Sequence, residues 1–154
     1  MGFECFGKGS DVLLNNLIDR SITEIKSNVS YLGSMVFNNC KQLTQAEFYN
    51  ATNMDSCVFR YCNALKRVDF YCLQKLMNES FTSCSKLDTL IIRTNTLCTL
   101  VNINAFTNTP ISAGTGYIYV PAALLEEYKI ATNWVTYADR FRAIEDYSDI
   151  WGGV

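Results

Sequence analysis

Cysteine is the residue type in this sequence best equipped for chemistry. Seven of them, Cys5, Cys40, Cys57, Cys62, Cys72, Cys84 and Cys98, stand in a chain that has no histidine. Thiolates can hold zinc, pair as disulfides or attack a substrate. A zinc site would draw on Cys57, Cys62 and Cys72, but their spacing is loose and no imidazole is available to complete a tetrahedron. An odd count fits a disulfide framework poorly, so all seven thiols are expected to be free. Catalysis lacks its commonest acid and base, and no Gly-x-Ser-x-Gly, P-loop or dinucleotide fingerprint occurs. The carboxylate pairs Glu126-Glu127 and Glu145-Asp146 read as solvated faces of a terminal cap. The expectation is a protein that is not an enzyme, with no metal and no cofactor.

The spacing of the cysteines has a different origin, which appears when the chain is laid against itself. Phe37-x-x-Cys40-x-x-Leu43 recurs as Phe59-x-x-Cys62-x-x-Leu65 and as Phe81-x-x-Cys84-x-x-Leu87, each copy 22 residues after the last. Five residues before each Phe stand Leu32, Met54 and Leu76; eight before stand Val29, Ala51 and Leu73. After each Leu, apolar residues follow at plus three (Ala46, Val68, Leu90) and plus five (Phe48, Phe70, Ile92), with polar residues between. That alternation is a strand with one face buried. A first strand around Ile22 and Ile25, and a variant copy at Phe106 with Thr109 in the cysteine slot, extend the array over residues 21–121.

One 22-residue unit cannot bury its apolar side alone, whereas stacked units form continuous ladders of Phe, Cys and Leu. The cysteines are therefore read as small core residues. The five strand copies predict a parallel sheet roughly 20–25 Å along the stack. Both ends need covers. Residues 1–20 contain one, a short helix over residues 10–18 with Ser10 as N-cap and Leu13, Leu14, Leu17 and Ile18 apolar. After a last strand, Tyr117-Ile-Tyr-Val120, a second cap over residues 122–147 begins with Pro121 at a helix start, carries Leu124, Leu125, Tyr128 and Ala131, and closes with Trp134, Tyr137, Phe141 and Ile144. Residues 148–154 form a polar, glycine-containing tail with no assigned structure.

These residues carry a resemblance. The Phe-x-x-Cys-x-x-Leu unit, the variant FTNTPI and the ending YIYVPAALLEEYKIATNW resemble the BspA-like bacterial leucine-rich repeats, seen in cell-surface proteins and in bacteriophage virion proteins. The resemblance covers roughly residues 17–147. It implies a short right-handed α/β solenoid with a parallel sheet of about five strands on one face and helical caps at both ends. It also implies a binding or adhesive role. Val36 and Val58 depart from the family pattern, which has a small residue before the Phe, so those two turns are expected to be locally wider.

Function then rests on surface. Plus-two, plus-four and plus-six positions point out together from the sheet. They form the columns Glu24-Gln45-Arg67-Thr89-Tyr117, Lys26-Glu47-Asp69-Ile91-Tyr119 and Asn28-Tyr49-Tyr71-Arg93. Tyr49, Tyr71, Arg93, Asp69, Arg67, Glu47, Tyr117 and Tyr119 are the candidate contact residues, because tyrosine gives large amphipathic area at low entropy cost. The alternative is cross-strand packing that only shields the sheet. The expected partner is a host-surface protein or glycan, bound by several copies together; otherwise the face packs against neighbouring subunits of a virion or assembly. A net charge of −2 with 13 scattered basic residues disfavours nucleic acid. No stretch has the length of a signal peptide's apolar core or of a membrane span, so classical secretion and membrane insertion are not expected, and the resemblance points to a virion or cell surface.

Overall fold

The computed structural model describes residues 19–152, together with the backbone of Glu4–Cys5 and Val12–Leu13. Along the chain the strands are β1 (Glu4–Cys5), β2 (Val12–Leu13), β3 (Glu24–Ser27), β4 (Tyr31–Leu32), β5 (Gln45–Phe48), β6 (Asn53–Met54), β7 (Arg67–Phe70), β8 (Lys75–Leu76), β9 (Thr89–Ile92) and β10 (Thr99–Leu100). Then come α1 (Pro110–Ala113), β11 (Tyr117–Val120), α2 (Leu125–Ile130), β12 (Phe141–Ala143) and α3 (Ser148–Trp151), with short 3-10 turns between them.

Each coil visits one sheet, then a second, then the Phe turn. The first sheet has seven strands in the order β1-β3-β5-β7-β9-β11-β12, all parallel. The second has five two-residue strands in the order β10-β8-β6-β4-β2, also parallel. The expected sheet is thus two strands longer, and the apolar positions five before each Phe belong to a second sheet. Two residues per coil are too few to show an alternation. Val12–Leu13 pairs with Tyr31–Leu32, so the helix expected over residues 10–18 is not continuous there; parallel backbone pairing on the next coil holds these two residues extended. The remainder of that expected cap lies outside the described residues.

Stacking of identical positions makes the core. Phe37, Phe59, Phe81 and Phe106 are fully buried, with successive ring centroids 5.1, 5.3 and 5.7 Å apart and planes within 14°. Backbone ladders hold that spacing: Phe37, Phe59 and Phe81 N–H donate to the carbonyls of Val58, Ser80 and Ala105 at 2.8–2.9 Å. The turns at Val36 and Val58 are not widened. Both valines are buried, and their coils stack as closely as the one carrying Ser80.

The cysteine ladder has a structural role beyond its size. Cys62 Sγ donates to the Phe37 carbonyl and Cys84 Sγ to the Phe59 carbonyl, each at 3.0 Å, so a thiol satisfies an acceptor on the preceding coil. Thr109, in the same slot, donates its hydroxyl to the Phe106 carbonyl at 2.7 Å and caps α1. On either side of the Phe, one residue per turn is left-handed: Met35, Cys57 and Glu79 before it, and Asn39, Tyr61, Ser83 and Asn108 after it, at φ of 53° to 63°.

The C-terminal cap ends the solenoid by imitating its next coil. Tyr128 Oη accepts from Cys98 N–H at 2.9 Å, and Trp134 Nε1 donates to the Cys98 carbonyl at 2.6 Å. Asn133 Nδ2 donates to the carbonyls of Leu100 and Val101 at 2.8 and 3.1 Å, and Tyr137 Oη to that of Ile103 at 2.6 Å. Side chains thereby satisfy backbone groups that another coil would otherwise pair. Trp134, Tyr137, Phe141 and Ile144 are buried, and Phe141–Ala143 also adds the last strand of the larger sheet.

Candidate functional site

Strand pairing brings the outward columns together as the repeat register requires. Glu24, Gln45, Arg67, Thr89 and Tyr117 are successive partners across the sheet. So are Lys26, Glu47, Asp69, Ile91 and Tyr119, a column that Arg142 of β12 continues. Tyr49, Tyr71 and Arg93 follow directly after β5, β7 and β9, where each backbone N–H reaches the preceding strand.

These side chains form one connected network. Tyr49 Oη donates to Glu47 Oε2 at 2.8 Å, and this bond to a carboxylate, more than burial, pushes the phenol up to about 12. The rings of Tyr49 and Tyr71 lie 5.0 Å apart, and the Arg93 guanidinium sits 5.1 Å from the Tyr71 ring. Burial, with the Asp69 charge second, raises the Tyr71 pKa. Arg93 donates through Nε and Nη2 to the two oxygens of Asp69, both at 2.8 Å, while Arg67 stands 3.6 Å from the same carboxylate. Lys26 and Glu47 pair at 3.8 Å, and Gln45 donates to Glu24 at 2.7 Å.

Two of the candidate contact residues are not surface groups. Asp69 is 1% exposed and the Arg93 side chain 8%, although both project from the outer side of the sheet. Asp69 is enclosed by Arg93 and Arg67, and Arg93 is in turn held by the tail. The chain returns across β9 and β11 through α3, where Ile91, Ile144 and Ile150 form a buried cluster with Tyr119 and Tyr147 packed against it. Arg93 Nη2 fastens it by donating to the Ile150 carbonyl at 2.8 Å, and Tyr147 meets Tyr119 edge-on at 5.2 Å. Trp151 is left 56% exposed, beside a cleft of about 280 Å³ that Tyr71, Arg93 and Glu145 also line. Tyr117 lies under two cations, with Arg142 at 4.4 Å and Arg140 at 5.4 Å from its ring. Among the described residues the face is therefore divided: the side carrying Lys26, Glu47, Tyr49 and Tyr71 is open, and the side carrying Ile91 and Tyr119 is covered.

Sequence reasoning missed α3, Trp151 and the two arginines over Tyr117. One signal was present. Ile91 occupies an outward column where the other coils hold Lys26, Glu47 and Asp69, and an apolar residue there requires a cover.

The groups considered for chemistry serve the structure. Cys62 is interior, Cys57 lies 3.8 Å from Glu79, and Cys72 Sγ donates to the Tyr49 carbonyl at 3.2 Å. Six cysteines, Cys40, Cys57, Cys62, Cys72, Cys84 and Cys98, are free thiols. Among the described residues no three His, Cys, Asp or Glu side chains come together to hold a metal. Glu126 pairs with Lys129 at 2.7 Å, and Glu145 accepts from Ala122 N–H at 2.8 Å. No helix among the described residues is long and apolar enough to cross a membrane.

Comparison with known families places residues 15–121 in the BspA type leucine rich repeat region, in six copies. No curated protein matches the chain.

Proposed function

The chain belongs to the BspA-type leucine-rich repeat family, a non-enzymatic protein-binding and adhesion repeat fold, and on that premise we propose that its ligand is taken by the open side of the seven-stranded sheet. The ligand is a protein or glycan on a host surface, and the chain is displayed in several copies on a phage particle or a cell surface. The observation that carries this reading is the Tyr49–Tyr71 pair. Its rings are positioned from both sides, by Glu47 on one and Arg93 on the other, on the part of the face that α3 leaves uncovered. Fixed aromatic area of this kind loses little entropy on binding.

The second reading, a subunit whose face packs against neighbours in a virion or assembly, draws on the same network. Asp69 and Arg93 are too buried to select a ligand and serve equally well as stiffening. The test is a streptavidin-tetramerised chain applied to host cells and to glycan arrays, with the double variant Tyr49→Ala/Tyr71→Ala. Recognition predicts loss of tetramer binding while the variant stays folded, its stability lowered only by the ~1–2 kcal/mol of one aromatic pair and one cation–π contact. Unchanged binding by the double variant places recognition elsewhere. A parent that binds no cell or glycan yet co-purifies with a neighbouring subunit favours the assembly reading.

A further inference from the structure

A groove of about 770 Å³ lies between the edge of the second sheet and the C-terminal cap, away from the open face. Leu97, Leu100 and Trp134 are among its lining residues. At its lip stands Ile130, the last residue of α2, 80% exposed and the most exposed large apolar side chain among the described residues. Lys75 of β8 lines the strand side and Glu127 of α2 the helix side. Among the described residues neither has an ion-pair partner.

Two occupants fit poorly. An added strand needs open backbone groups at the sheet edge, but Cys98 N–H and the carbonyls of Cys98, Leu100 and Val101 are already taken by Tyr128, Trp134 and Asn133. A small polar ligand needs converging donors and acceptors, and the same three side chains have used those the edge supplied. What remains is an apolar hollow, an apolar knob beside it, and one charge of each sign on opposite sides.

We propose that this groove is occupied by a second copy of the same chain in a two-fold dimer. A two-fold contact places one patch against itself, so the patch must complement itself in shape and charge. This one does: Ile130 of each copy enters the groove of its partner, and Lys75 of each meets Glu127 of the other. The patch adds no net charge against itself, and the chain as a whole carries only −2. The cap has two roles in this arrangement, closing the solenoid and joining two solenoids. The inference does not rest on what the sheet face binds.

Sedimentation velocity of the full chain tests it. Between about 1 and 200 μM the parent moves from the 17.4 kDa monomer toward twice that mass. Ile130→Asp weakens association by about tenfold or more, because it places a carboxylate in the apolar contact. Lys75→Glu or Glu127→Lys alone weakens it several-fold by opposing like charges, and the double variant Lys75→Glu/Glu127→Lys restores it. All three positions are exposed, so each variant should melt with the parent, and the charge rescue stands independently of Ile130. A parent that stays monomeric throughout overturns the proposal. So does an Ile130→Asp protein that associates like the parent, a double variant no better than the single ones, or association abolished by Trp151→Ala, which would place the contact at α3.

Discussion

Replacing Phe81 with alanine removes one ring from the middle of a stack whose neighbours cannot close over the gap. Phe81 is fully buried between Phe59, 5.3 Å away and inclined by 4°, and Phe106, 5.7 Å away and inclined by 6°. Losing the burial of a large aromatic costs ~1.5–3 kcal/mol. The two ring contacts add ~0.5–1 kcal/mol each. Relaxation recovers little, because the coil spacing beside the ring is set by backbone bonds, Phe59 N–H to Ser80 O and Phe81 N–H to Ala105 O, both 2.8 Å. Most of the deleted volume therefore persists as a cavity and brings the loss to ~3–5 kcal/mol. At ~2–4 °C per kcal/mol for a chain of this size, the melting temperature followed by circular dichroism falls by roughly 6–20 °C. Phe81→Leu, which keeps much of the volume but no ring, falls by about half as much. A Phe81→Ala protein that melts within ~2 °C of the parent would refute the stacked register and the argument that its spacing is rigid.

Asp69→Ala leaves the Arg93 guanidinium, with its 8% exposed side chain, without its bidentate partner, and the expected loss is ~3–5 kcal/mol in urea unfolding. It should also release α3, seen as faster hydrogen exchange at Ile150 and Trp151, since Arg93 donates to the Ile150 carbonyl; unaltered exchange there would show that the apolar contacts alone hold the tail. The thiols report burial directly: near pH 8, among the described residues, Cys57 and Cys72 should react promptly with a maleimide and the buried Cys40, Cys62, Cys84 and Cys98 slowly, and the total in denaturant without reductant should reach all seven. Burial also pushes the Cys98 thiol up to about 12 from an ordinary 9.0, so its contribution to stability is intact below 9.0 and is lost as pH rises toward 12, lowering the melting temperature over that window; a Cys98→Ser protein with the same alkaline profile would exclude this thiol as a cause.

How much of this was legible in the sequence depended on how many coils repeat a given feature. The Phe, Cys and Leu ladders recur in register in three copies, and identical positions stacked at the spacing of parallel strands produce the observed core. The outward columns follow from the same register, in which Gln45 meets Arg67 and Tyr49 meets Tyr71. The second sheet was hidden because two residues per coil cannot display a period. The cover over β9 and β11 was hidden because it is made once, by a segment whose polar composition masks the single buried residue Ile150. Pairing of Asp69 with Arg93 could be read from adjacent columns. The contact of Arg93 with Ile150 could not, because it depends on where the chain returns.

That return limits what the face can do. With β9 and β11 covered, the open part among the described side chains spans β3 to β7, two intervals of ~4.8 Å by about four residues, or on the order of 130 Å² of flat envelope. A stable one-to-one protein interface uses ~800 Å² per partner. A single copy binding through this surface alone is therefore weak, and useful retention needs two or more copies bound together, where the second contact is made at the effective concentration set by the first. A dimer through the cap meets that need without drawing on the face, because the Ile130 groove is built from the second sheet and α2 whereas the tyrosine pair is built from the first sheet. The two surfaces can then be separated by mutation. Ile130→Asp should leave the monomer's intrinsic contact unchanged while removing the gain from pairing, and Tyr49→Ala/Tyr71→Ala should leave the dimer intact while removing the contact itself. If Ile130→Asp lowered binding of an isolated, surface-captured monomer as much as that of the free protein, the groove would be part of the recognition surface and the division of labour between the two ends would be wrong.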